Sequence, residues 1–100
     1  MDKDSMNYLE KIGFSSDDIS TIKNTNSNVI FNLLKEQKKV VTANILYLKK
    51  LGVNNYKEIF IRYADLFLMD NSNFIEIFSK YDQEDLINKL DHNIDIFAYL

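Results

Sequence analysis

The chain has one hundred residues, a net charge of −3, thirteen aromatic side chains and an apolar fraction near one half. That is enough for one packed core and too little for two, and it excludes intrinsic disorder. It contains no cysteine, which excludes disulfides, thiolate metal sites and cysteine nucleophiles; no apolar run approaches the length of a membrane span, and MDKDSMNYLEK lacks the basic and apolar regions of a signal peptide, so a cytoplasmic location is expected.

In chain order, Asp4 or Ser5 is placed to cap a first helix carrying Met6, Leu9 and Ile12, which stops at Gly13. Ser15 and Asp18 have capping-box spacing and open a short second helix with Ile19 and Ile22 facing inward. Asn24 to Asn28 reads as the most loop-like stretch. Val29-Ile30-Phe31 is an apolar plug, after which helix is expected over most of 29 to 51, bent or broken near Lys39 to Thr42.

The stretch from Asn44 to Asp70 is the best defined. Ile45, Leu48 and Leu51 recur at helical spacing, Lys49 and Lys50 suit the negative helix end, and Gly52 supplies the left-handed stop. Asn54 or Asn55 is placed to cap a following helix, whose stripe is Tyr56, Ile59, Phe60 and Tyr63. Leu66 to Met69 is too apolar for an exposed loop and must be buried. Asp70-Asn71-Ser72 then caps a helix with Phe74, Ile77, Phe78 and Tyr81. Asp82 and Asp85 open another with Leu86, Ile87 and Leu90, and Ile94, Ile96, Phe97, Tyr99 and Leu100 follow. With no proline, two glycines and no sustained period-2 alternation, the reading is a single all-α domain over 1–100.

Short stripes beginning at Ile19, Tyr56 and Leu86 are each followed, ten residues on, by Val29, Leu66 and Ile96, giving spacings of 37 and 30 residues. Such spacings suggest two to three degenerate helix-pair repeats, stacked as a small α-solenoid or a compact bundle. The run Tyr47-Leu48-Lys49-Lys50-Leu51-Gly52-Val53, with a short helix ending Arg62-Tyr63-Ala64-Asp65-Leu66-Phe67, resembles the repeat of the mitochondrial transcription termination factor (mTERF) family. That family's repeat carries proline shortly before its final apolar pair, where this chain has Ser27, Ala64 and Ile94. The resemblance implies an α-helical solenoid whose basic concave face binds nucleic acid.

Charge is uneven: residues 35–62 hold seven basic side chains against Glu36 and Glu58, whereas residues 63–100 hold two lysines against eight acids. Lys38, Lys39, Lys49, Lys50, Lys57 and Arg62 are therefore the candidate contacts for nucleic acid or an acidic partner. The lysines also fit the solvated faces of two helices, and a single arginine is sparse for bidentate phosphate or base recognition. Phe97, Tyr99 and Leu100 are candidates for an apolar interface, with the tail folding back onto the core as the competing expectation. No catalytic, cofactor or metal constellation emerges: His92 stands alone between Asp91 and Asn93, and Asp82, Glu84 and Asp85 are explained by their place at a helix start. The function expected is a small helical protein-interaction or regulatory module, its partner another protein or a second copy of itself, with no membrane or small-molecule substrate evident. Nucleic-acid binding along 35–62 is the alternative.

Overall fold

Two glycines set the frame of the computed structural model, which describes residues 6–100. Gly13 (φ +124°) and Gly52 (φ +99°) lie in the left-handed region at the ends of the first helix, α1 (Asn7–Ile12), and of the longest, α4 (Lys38–Leu51). The same closure forms at both. The amide of Phe14 returns to the Leu9 carbonyl at 3.0 Å and that of Val53 to the Leu48 carbonyl at 3.2 Å, which satisfies last-turn carbonyls and turns an apolar side chain back into the core. Phe14 and Val53 are both buried.

Between these two helices lie α2 (Ser16–Thr25) and α3 (Asn28–Glu36); after them come α5 (Tyr56–Tyr63), a 3₁₀ helix (Ala64–Leu68), α6 (Asn71–Ser79), α7 (Gln83–His92) and a second 3₁₀ helix (Ile94–Tyr99). No strand occurs among the described residues. The all-α reading holds. The Ser15–Asp18 capping box is formed in both directions, at 2.9 and 3.1 Å. The caps expected from Asp4 or Ser5 lie outside the described residues.

Several boundaries differ from expectation. The Asn24–Asn28 loop is only Asn26 and Ser27, because Thr25 and Asn26 hydrogen-bond back to the Thr21 and Ile22 carbonyls while Ser27 caps α3 through the Ile30 amide. The break within 29–51 falls at Gln37 and not at Lys39 to Thr42. Gln37 ends α3 by donating to Leu33 and starts α4 by accepting from Val41, and the Tyr8 hydroxyl takes up the Leu34 carbonyl at 2.7 Å. Val29 is not a plug residue: it lies in α3 and is 69% exposed. Tyr81 lies beyond the end of α6 and is exposed. Neither Asn55 nor Asp70 caps through its side chain; the Asn55 amide reaches the Leu90 carbonyl at 3.3 Å.

α1 packs on α4 and α4 on α6; α2 packs on α5; α3 packs on the first 3₁₀ helix, and the second lies across α5 and α7. The result measures 42 × 25 × 23 Å. A chain of ring contacts threads it: Phe14 to Phe60 at 5.3 Å, Phe60 to Phe67 at 5.0 Å, Phe67 to Phe74 at 5.3 Å and Phe74 to Phe78 at 5.0 Å. Phe97 closes onto Phe67 at 5.4 Å. Aromatic pairs at such distances add to the stabilisation from area burial alone, so the first, middle and last thirds share one core.

Candidate protein-binding surface

The basic residues do not form one patch. In α4, Lys38 and Lys49 are eleven residues apart, as are Lys39 and Lys50; that interval returns a side chain to within about 20° of its starting direction and advances it about 16 Å. All four lysines are exposed; Lys39 and Lys50 lie opposite the buried stripe Val41, Asn44, Ile45 and Leu48, while Lys38 and Lys49 border it, with Leu46 exposed between the pairs. Lys57 is held against α1: its Nζ comes within 3.4 Å of where a Cβ on Gly13 would stand, a cation at the negative end of a helix. Lys49 joins it on that side, with Nζ 6.0 Å from the centre of the Tyr56 ring.

Arg62 points elsewhere. Five residues after Lys57, it projects about 140° around α5 from it and its Nη1 pairs with Asp95 Oδ1 at 2.8 Å. The same oxygen accepts the Tyr63 hydroxyl at 2.7 Å. The Tyr63 and Arg62 hydrogen bonds, in that order, hold the Asp95 carboxyl below its ordinary range. The bond to Asp95 raises Tyr63 above the usual phenol value, and Arg62 is raised by the same partner. With Asn93 accepting the Asp95 amide at 3.0 Å, this group pins the start of the second 3₁₀ helix to α5. Asp95 is a residue that sequence reasoning did not single out, because its partners lie more than thirty positions away.

Asn44 is the second residue missed. It is wholly buried; its side-chain amide donates to the carbonyls of Phe67 (2.9 Å) and Met69 (2.8 Å), and its oxygen accepts from Asn71 (2.9 Å). Three elements are thereby clipped together: α4, the end of the first 3₁₀ helix, and α6. The available signal was a polar residue inside the Val41, Ile45, Leu48 stripe.

The three apolar candidates have different fates. Phe97 is a core residue, 6% exposed; Tyr99, two positions on, is 85% exposed; Leu100 is half-buried. The second 3₁₀ helix thus packs one side and turns the other outward, flanked by two hollows that share Leu100. One, of about 140 Å³, is walled by apolar side chains: Leu66 and Met69, Phe74, Ile77 and Phe78 of α6, and Phe97, Ala98 and Leu100. The other, of about 210 Å³, lies between Leu86 and Ile96, with Tyr81 and Tyr99 at its edge and Asp82, Asp85 and Lys89 around it. Lys89 is paired with Asp85 at 3.0 Å, whereas Asp82 caps α7 by accepting the Asp85 amide and has no ion pair among the described residues.

His92 ends α7 with Nδ1 2.8 Å from the Asn88 carbonyl, which makes it a helix-terminus residue. Among the described residues no group of three or more His, Asp or Glu is arranged to hold a metal, and no helix is long and apolar enough to cross a membrane. No family model, curated protein or solved structure matches this chain.

Proposed function

We propose that this chain is a helical protein-interaction module acting in the cytoplasm through the surface around the second 3₁₀ helix. The observation that carries the reading is Tyr99, a large aromatic residue 85% exposed on a short element whose opposite side is core. Tyr99 edges a hollow of mixed lining that adjoins one walled by apolar side chains, and an exposed aromatic in such surroundings has the composition of a binding hot spot. The partner is another protein or a second copy. Sedimentation velocity of the full chain across a hundredfold range of concentration separates these: self-association that Tyr99→Ala abolishes identifies a second copy, and a monomer throughout directs the search to another protein. A solvent-protection footprint of the assembled state that omits Tyr81, Tyr99 and Leu100 refutes the surface.

Nucleic-acid binding is the second reading. It is favoured by the two exposed lysine pairs along α4, Lys38 with Lys49 and Lys39 with Lys50, and weakened by the pairing of Arg62 with Asp95 and by the turning of Lys57 toward Gly13. The recurrence of α-helix, α-helix and 3₁₀ helix in 38–68 and again in 71–99 supports the stacked-repeat reading and, with it, the mTERF resemblance as architecture. Fluorescence anisotropy with labelled DNA and RNA at rising salt tests the function. Binding with a slope of several released counterions, lost on charge reversal of the α4 lysines, would replace the protein-interaction reading.

A further inference from the structure

We infer that the 140 Å³ hollow receives a single phenyl-sized side chain from a partner segment that carries positive charge beside it. The inference rests on the proposed interaction surface and names the chemistry of what binds there. Size comes first. An engineered interior cavity of about 150 Å³ lined by Leu, Ile and Phe takes up benzene, and this hollow, open to solvent on one side, has nearly that volume and a comparable set of lining side chains. Its walls present three phenylalanine rings, Phe74, Phe78 and Phe97, at 5.0 to 6.2 Å from one another, so a fourth ring can enter at the tilted or edge-to-face distances aromatic groups prefer. Met69 adds a polarizable thioether. No charged or hydrogen-bonding side chain lines it, which favours an apolar anchor.

The charge of the partner follows from the surroundings. Leu100 joins this hollow to the one bearing Asp82 and Asp85, of which only Asp85 is ion-paired, and residues 63–100 carry two lysines against eight acids. A lysine- or arginine-flanked anchor is attracted to this surface and an acidic one repelled.

The test uses the full chain and three short peptides: one phenylalanine flanked by lysines, the same peptide with alanine for phenylalanine, and the same with glutamates for lysines. Binding is read from NMR shifts. The first peptide is expected to move the signals of Ile77, Ala98 and Leu100 and to weaken as salt rises; the alanine version binds at least about tenfold more weakly, as loss of one buried aromatic side chain requires; the glutamate version is weaker at low salt and strengthens as salt screens its repulsion. Benzene alone produces the same local shifts. Ala98→Leu, a change at an exposed position that fills the hollow, removes the response while the remaining spectrum stays native. If benzene and the phenylalanine peptide leave these signals unmoved, or if Ala98→Leu binds equally well, the inference falls. Should a second copy or another partner still cover Tyr99 in that case, the interaction reading survives; if Tyr99 stays uncovered too, both fall.

Discussion

At Asn44, itself wholly buried, a single amide satisfies two carbonyls and a second amide. Truncation removes the partner of all three: the Phe67 carbonyl, which is buried, and the Met69 carbonyl and Asn71 amide, which belong to half-buried residues. Asn44→Ala is therefore expected to cost about 2–4 kcal/mol, read as a lower urea midpoint with an unchanged slope. Asn44→Asp is expected to be at least as damaging, because a carboxylate cannot donate to Phe67 and Met69. Asp95 gives a pH prediction. Its folded pKa lies below the ordinary 3.8, so the contribution of its bonds is complete above the unfolded value and is lost as pH falls through the folded one. In Asp95→Asn that acid-side dependence disappears, and Tyr63, raised while it is bonded to Asp95, ionises at lower pH; ultraviolet titration of the tyrosines reads this directly. Neither residue was evident from sequence. A buried asparagine and a surface aspartate are recognised by what stands opposite them, and their partners are between 23 and 33 positions away in the chain.

At the level of elements, local chemistry was mostly legible. Glycine stops, the Ser15 box and the Asp82 cap, whose carboxylate accepts the Asp85 amide at 3.0 Å, are interactions within five residues, and their spacing is visible directly. Replacing Gly52 by alanine forces a Cβ into φ +99° and is expected to cost about 1 kcal/mol; the space itself is open, with Ile87 Cδ1 at 3.7 Å, so the loss reports conformation and not collision. Ser15→Ala is expected to cost about 1 kcal/mol, with thermal midpoints checking both. Boundaries failed where a distant group decided them. The α3–α4 break sits at Gln37 because Tyr8, from α1, supplies a partner for the Leu34 carbonyl. Asn55 is drawn from capping its own helix to the Leu90 carbonyl on α7. The Gln83 side chain likewise covers the end of α4 at the Leu51 carbonyl, 3.2 Å away.

For the whole molecule, the ring chain from Phe14 to Phe97 links all thirds of the structure, so unfolding should be a single transition. Phe97→Ala opens a cavity in that chain and is expected to cost about 3–5 kcal/mol. Tyr99→Ala, two residues on, should stay within roughly 0.5 kcal/mol of wild type, so denaturant unfolding of the pair separates core from surface within one short helix. Removal of residues 96–100 is expected to unfold the protein, because Phe97 leaves with them.

Composition and periodicity alone determined that the chain is helical, where its glycine stops and the Ser15 and Asp82 caps fall, and most of the stripes that face inward, because these depend on contacts between residues three to five apart. They also located an acidic last third and a basic middle. Tertiary structure decided the rest. It separated Arg62 from Lys57 and paired it with Asp95, placed Asn44 at the junction of three elements, and turned Phe97 inward while leaving Tyr99 in solvent. Each outcome depends on groups far apart in sequence being brought together, and on the 3₁₀ geometry near the end of the chain, for which helical and strand periodicities have no signature.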